Sequence, residues 1–142
     1  MQAPSTTQPK KIFEKTAILI VDDEPDILSV LKKSLEDDGY EVYGFTHPVA
    51  ALEHFKDKPE YYSVLISDIR MPKMSGFELA RMIRNLNSEI KIILMTAFEV
   101  NMSEFNKVLP SIKIDALLHK PFKLARVQEV LEKTIHEPIS LG

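Results

Sequence analysis

Four short apolar runs leave this chain few ways to fold, and each ends in residues suited to phosphate or magnesium chemistry. Ala17-Ile18-Leu19-Ile20-Val21 ends in Asp22-Asp23. Val64-Leu65-Ile66-Ser67 ends in Asp68, and Ile92-Ile93-Leu94-Met95 ends in Thr96-Ala97. Ile114-Asp115-Ala116-Leu117-Leu118 runs into His119-Lys120-Pro121-Phe122. Runs of this length, separated by helical patterns, read as parallel strands covered by helices on both faces. The carboxyl ends of such strands share one edge, and open α/β sheets bind ligands at that edge.

The helical patterns support five βα units. Strand 1 is expected over 16–21, and helix 1 begins at Pro25, a residue suited to the first helical position. Ile27, Val30, Leu31 and Leu35 give helix 1 its apolar spacing, and Gly39 closes it. Strand 2 is Glu41 to Phe45. Helix 2 starts near Pro48 with Val49, Leu52 and Phe55 on one side, and Lys58-Pro59 closes it. Strand 3 is expected over 63–67. Helix 3 follows Ser75-Gly76, with Leu79, Met82, Ile83 and Leu86 as its buried stripe. Strand 4 is expected over 90–95. Helix 4 rests on Met102, Phe105, Val108 and Leu109 before Pro110. Strand 5 is expected over 114–118. Helix 5 spans Leu124 to His136, with Leu124, Val127, Val130, Leu131 and Ile135 facing inward. Right-handed crossovers then favour a doubly wound, five-stranded parallel sheet of flavodoxin-like order 2-1-3-4-5. That order sets strands 1 and 3 side by side, making Asp22, Asp23 and Asp68 neighbours.

Size and composition set the remaining limits. The 142 residues suit one domain with one core. A polar stretch rich in Pro, Thr and Gln fills residues 1–14 and reads as a flexible tail. The domain is expected over 15–136, with a second tail at 137–142 that is too short for an output module. The formal charge is −3 with scattered basic residues, so composition points to no nucleic-acid partner. No apolar run approaches a membrane span, and the start lacks the apolar core of a signal peptide. The absence of cysteine excludes a disulfide framework or thiolate metal site and fits a cytoplasmic location.

Clustered carboxylates at the shared edge would repel one another and raise each other's pKa. A magnesium ion resolves that repulsion, because it prefers oxygen ligands from one or two carboxylates, waters and a phosphate. A carboxylate can also act as the nucleophile that forms an aspartyl-phosphate. Lys120 adds a mobile cation, Thr96 a hydroxyl, and Ala97 leaves space. Each piece has a plainer reading taken alone. Asp22-Asp23 before Pro25 also serves as a turn and helix cap, and Asp68 as a loop residue. Thr96 can bond its own backbone, and lysines are mostly solvated surface charges. The conjunction at four strand ends favours the chemical reading.

In these segments the chain resembles a response-regulator receiver domain, the phosphoacceptor half of two-component signalling. The matching text is Ile18-Leu19-Ile20-Val21-Asp22-Asp23-Glu24-Pro25, Asp68-Ile69-Arg70-Met71-Pro72 with Gly76, Met95-Thr96-Ala97, and Lys120-Pro121-Phe122. The resemblance covers residues 15 to 136. It implies that Asp68 is the phosphoacceptor and that Asp23 ligates magnesium directly, with Asp22 acting through water. The Arg70 carbonyl is a further implied ligand. Thr96 is the implied switch hydroxyl, and Lys120 pairs with the acceptor or its phosphate. A cis Lys120–Pro121 bond is also implied. The implied donor is a histidine kinase or phosphotransfer protein, and the implied output is altered protein binding through the helix 4–strand 5–helix 5 face.

One position departs from the pattern. Receivers commonly place Tyr or Phe three residues before the lysine, where this chain has Leu117. A switch through the loop after Thr96 and helix 4 is therefore expected in place of the usual aromatic relay. Arg70 and Phe98 flank the path of an attacking water, and their bulk is expected to slow self-dephosphorylation. They could equally face solvent or a partner. A magnesium-dependent phosphohydrolase with an aspartyl nucleophile is the competing enzyme reading, and Arg70 stands where such enzymes place a second acid. An unphosphorylated docking domain is the third reading. His47, His54, His119 and His136 show no metal spacing. Met71, Met74, Met82, Met95 and Met102 read as packing.

Overall fold

The structure is a computed structural model, and it describes residues 15–97, 107 and 112–136. Five parallel strands form one sheet in the order β2-β1-β3-β4-β5. They are β1 Ala17–Val21, β2 Glu41–Phe45, β3 Val64–Asp68, β4 Lys91–Thr96 and β5 Ala116–His119. Four helices appear among the described residues: α1 Pro25–Asp37, α2 Pro48–Asp57, α3 Gly76–Leu86 and α4 Leu124–His136. The doubly wound order expected from the alternation is the observed one. Both tails, and the expected helix 4 with Met102, Phe105, Val108 and Leu109, fall outside the described residues except at residue 107.

Strands β1 and β3 are buried at every position, which explains why their apolar residues are consecutive. Alternate side chains go to opposite faces of the sheet. Leu19, Val21, Leu65 and Leu94 pack with Leu52 and Phe55 of α2 and with Leu79 and Ile83 of α3. Ile18, Ile20, Ile66 and Ile93 pack on the other face with Leu31 and Leu35 of α1 and with Val127 and Leu131 of α4. Each fully buried Leu or Ile contributes about 1.5–3 kcal/mol of apolar burial.

Several expected core positions are corrected. Val30, Val49, Met82, Leu86 and Leu124 are exposed. Each lies off the centre of its helix's buried arc, and the sheet needs only a narrow stripe from each helix. In α3 the inward residues are Leu79, Ala80 and Ile83, so a small alanine takes the place expected for Met82. Strands β3 and β4 also end one residue later than expected, so Asp68 and Thr96 are the last residues of strands rather than loop residues.

The ends of the elements follow local chemistry. Pro25 and Pro48 start α1 and α2. Ser75 and Glu78 form a reciprocal capping box on α3, and Gly39 leaves α1 with a φ of 100°. At the sheet edge opposite the acids, the largely buried Arg84 guanidinium ties distant segments together. It donates to the carbonyls of Ile112 (2.9 Å), Ser88 (3.1 Å), Lys113 (2.6 Å) and Ile90, and it pairs with Asp115 at 3.5 Å. Asp115 in turn accepts from the Ile92 amide at 2.8 Å. Truncation would leave several of these carbonyls without a partner. Arg84→Ala is expected to lower stability by about 2–3 kcal/mol in urea denaturation. Arg84→Lys should recover less than half of that loss, because an ammonium cannot span a planar fork's acceptors. Full recovery by lysine would contradict the brace.

Candidate phosphoacceptor site

The carboxyl edge of the sheet gathers the reactive residues because β1, β3 and β5 stop there. The register pairs Val21 with Ser67, Asp68 with Met95, and Thr96 with His119. Asp22 therefore follows β1 at the level where β3 ends in Asp68. The Asp22 amide donates to the Phe45 carbonyl (3.1 Å), extending the sheet by one bond. Its side chain is wholly buried. Oδ1 accepts from the Glu24 amide at 2.9 Å and bends the chain into α1, while Oδ2 accepts from Lys120 Nζ at 2.9 Å. One Asp22 oxygen thus shapes the turn into α1 while the other meets the lysine.

Asp68 is 7% exposed. Its Oδ1 accepts from the Ile69 amide at 3.0 Å, and its Oδ2 faces Lys120 Nζ at 3.4 Å. Its carbonyl accepts from the Ser67 hydroxyl at 2.9 Å. The loop beyond it is drawn tight by Gly76, whose amide donates to the Ile69 carbonyl at 2.7 Å. A Cβ at Gly76 would come within 2.1 Å of the Asp68 carbonyl oxygen, so no side chain fits there. Gly76 thereby lets α3 approach the Asp68 backbone.

Lys120 stands at the end of β5, and the Lys120–Pro121 peptide is cis. Its amide donates to the Thr96 carbonyl at 2.7 Å, which ties the lysine to the end of β4. Its ammonium contacts Asp22 (2.9 Å), Glu24 (3.0 Å) and Asp68 (3.4 Å). Burial works against that charge, but the hydrogen bonds and fields of Asp22, Glu24 and Asp68 prevail and raise the Lys120 pKa. Burial pushes the Asp68 carboxyl up to about 6; Lys120 opposes this, and the negative charges of Asp22 and Asp23 add to it.

The expected residues do not all converge equally. Carboxylate oxygens of Asp22, Glu24 and Asp68 lie within 4.8 Å of one another. Asp23 is half-buried beside this group without belonging to it, although its charge still acts on Asp68. Glu24 takes a place for which the sequence reading gave it no role. The signal was present as a third consecutive acid, but a glutamate before a helical proline reads first as a helix-end charge. Thr96 is buried at the end of β4, and Arg70 is exposed. Leu117 is half-buried and packs on the core layer shared with α2 and α3. Phe98 falls outside the described residues. His54 is packed, with Nε2 2.5 Å from the Tyr62 hydroxyl, and His47, His119 and His136 are exposed.

A doubly wound sheet carrying two buried aspartates and a buried lysine at its carboxyl edge defines a class of phosphoryl-handling signalling module. Residues 18–132 match the model of the response regulator receiver domain, and the chain belongs to that family. It is 34% identical over 119 residues to response regulator receiver protein CpdR of Brucella abortus, covering 83% of this chain and 95% of that one. It is 40% identical to sensor protein EvgS of Escherichia coli K12 over 82% of this chain, which is 9% of the length of EvgS. Sporulation initiation phosphotransferase F of Bacillus subtilis is 28% identical, over 82% of this chain and 90% of that protein. A solved CheY-like receiver domain protein from Methanospirillum hungatei superposes with a TM-score of 0.79 at 28% identity, covering 86% of this chain and 94% of that chain. Receiver domains are two-component signalling modules rather than turnover enzymes. They bind magnesium at an acidic pocket and interact with histidine kinases or phosphotransfer proteins. Among the described residues no helix is long and apolar enough to cross a membrane.

The raised Asp68 pKa has a consequence for stability. The folded protein holds this proton more tightly than the unfolded chain, so between about pH 4 and 6 the folded state carries more protons. Stability of the metal-free protein therefore falls as pH rises through that window. Asp68→Asn is expected to stabilise the metal-free protein by about 1–3 kcal/mol near pH 7.5, with the gain vanishing below about pH 4. Urea titrations across that range would show it, and a pH-independent difference would contradict it.

Proposed function

We propose that this chain is a phosphorelay receiver that accepts a phosphoryl group on Asp68 from a histidine kinase or phosphotransfer protein. The observation that carries this reading is the Asp68 carboxylate. It is buried at the end of a central strand and faces Lys120 at 3.4 Å beside Asp22. One Asp68 oxygen forms a bond to phosphorus as the phosphorus–nitrogen bond of a phosphohistidine breaks, and the electron pair stays on the imidazole nitrogen. Lys120 then takes a phosphoryl oxygen, and the Thr96 hydroxyl supplies a second donor from the neighbouring strand end. The donor set suits a hard cation, because three carboxylates crowd a single ammonium. Asp22 and Asp68, with Asp23 beside them and the Arg70 carbonyl, would hold magnesium. When bound, it neutralises charge on the transferring group.

Output in this reading is altered protein binding on a face that includes β5 and α4. Leu117 lacks a ring to bury or a hydroxyl to rebond, so the conformational response runs through the segment that follows Thr96. The phosphohydrolase alternative is disfavoured by Arg70, which offers no general acid two residues after the nucleophile. A docking domain that is never phosphorylated has no need of the Asp22, Asp68 and Lys120 arrangement.

Intact-mass measurement after acetyl phosphate and magnesium should show one added phosphate on the wild type and none on Asp68→Asn. Label on both, or on neither, would overturn the assignment. Arg70 and Phe98 are read as slowing hydrolysis by excluding water. An Arg70→Asn, Phe98→Ala double variant should therefore lose its phosphate faster than wild type in a time course of the same mass signal. Slower loss would contradict it.

A further inference from the structure

We infer that Glu24 is a positioning residue that holds the Lys120 ammonium in reserve before phosphoryl transfer. This rests on the phosphoacceptor reading of Asp68 and adds a role for a residue that touches neither the acceptor's oxygens nor the transferred group. Lys120 Nζ lies 2.9 Å from Asp22, 3.0 Å from Glu24 and 3.4 Å from Asp68, so its two shorter bonds are to residues that do not react. An ammonium has three protons to donate, and the acceptor receives the longest of the three contacts. Asp22 is wholly buried and held by the Glu24 amide, which makes it the fixed partner.

Glu24 is the exchangeable partner. Its side chain is 58% exposed, so water takes over its solvation when the ammonium leaves. It also caps nothing: it occupies the N-cap position of α1 without a side-chain hydrogen bond to that helix. Its carboxylate therefore carries no structural duty that competes with the lysine. Drawing Lys120 toward Glu24 leaves the negative charge on Asp68 less compensated, and so more available to attack phosphorus. Once the phosphoryl group is in place, Lys120 leaves Glu24 for a phosphoryl oxygen and keeps its bond to Asp22. Loss of the Glu24 contact opposes the modified state by the worth of one half-exposed ion pair.

Beryllofluoride, a phosphoryl mimic, gives an equilibrium test at saturating magnesium. Glu24→Gln should bind it about three- to fivefold more tightly than wild type, the worth of an exposed ion pair. Asp26→Asn is the charge-matched control, since Asp26 is an exposed acid of the first turn of α1. It should stay within about twofold of wild type. Equal tightening in both variants would reduce the effect to net charge and overturn the inference, as would no change in Glu24→Gln. In the unmodified protein, the Lys120 Nζ resonance should move in Glu24→Gln and stay in place in Asp26→Asn, and an unmoved resonance would overturn the tether. Failure of the wild type itself to bind beryllofluoride would instead overturn the phosphoacceptor reading, leaving the resonance to decide the Glu24 contact.

Discussion

One ammonium shared among three carboxylates organises the edge of this sheet. Burying Asp22 and Asp68 as anions without a counter-charge would cost several kcal/mol each. Lys120 offsets part of that cost from the far end of the chain, 98 residues after Asp22. It compensates only part of the charge, because three acids outnumber one base. The remaining negative charge makes the site receptive to a divalent cation, and the burial keeps Asp68 protonated to an unusually high pH. The fold supplies the arrangement cheaply, because each participant sits at or just beyond a strand end whose position is set by sheet register.

Support for Asp68 comes from the groups around it. The Ser67 hydroxyl and the Ile69 amide hold Asp68 from either side, and Gly76 lets α3 approach its backbone. Thr96 holds the lysine's backbone with its carbonyl, so two strand ends are linked by one hydrogen bond. That bond connects the end of β4 mechanically to the cation. Leu117 of β5 packs on the layer shared with α2 and α3.

The sheet order and strand ends were legible because buried parallel strands are consecutive apolar runs, and few other segments of this chain have that form. Asp22, Asp68 and Lys120 could be placed at one edge because they end those runs at equivalent places, whereas Asp23 lies beside the carboxylate group. Helix faces were less legible. A template of i, i+3 and i+4 apolar residues does not distinguish the centre of a buried arc from its flank, which is why Met82 and Leu86 were misplaced and Ala80 overlooked. Glu24 was unreadable for a different reason: its partner is 96 residues away, and nothing in its neighbourhood marks a bond to Lys120. The brace at Arg84 was hidden likewise, since its acceptors are backbone carbonyls, which carry no sequence signature.

That brace bears on how such a chain tolerates change in length. Thr96 is fixed at the end of β4 by the sheet, and Ile112 and Lys113 are fixed ahead of β5 by Arg84. Because the chain ahead of β5 is clamped in this way, Lys120 keeps its height at the carboxyl edge. A single insertion between Leu118 and Lys120 would instead turn the ammonium to the opposite face of the sheet.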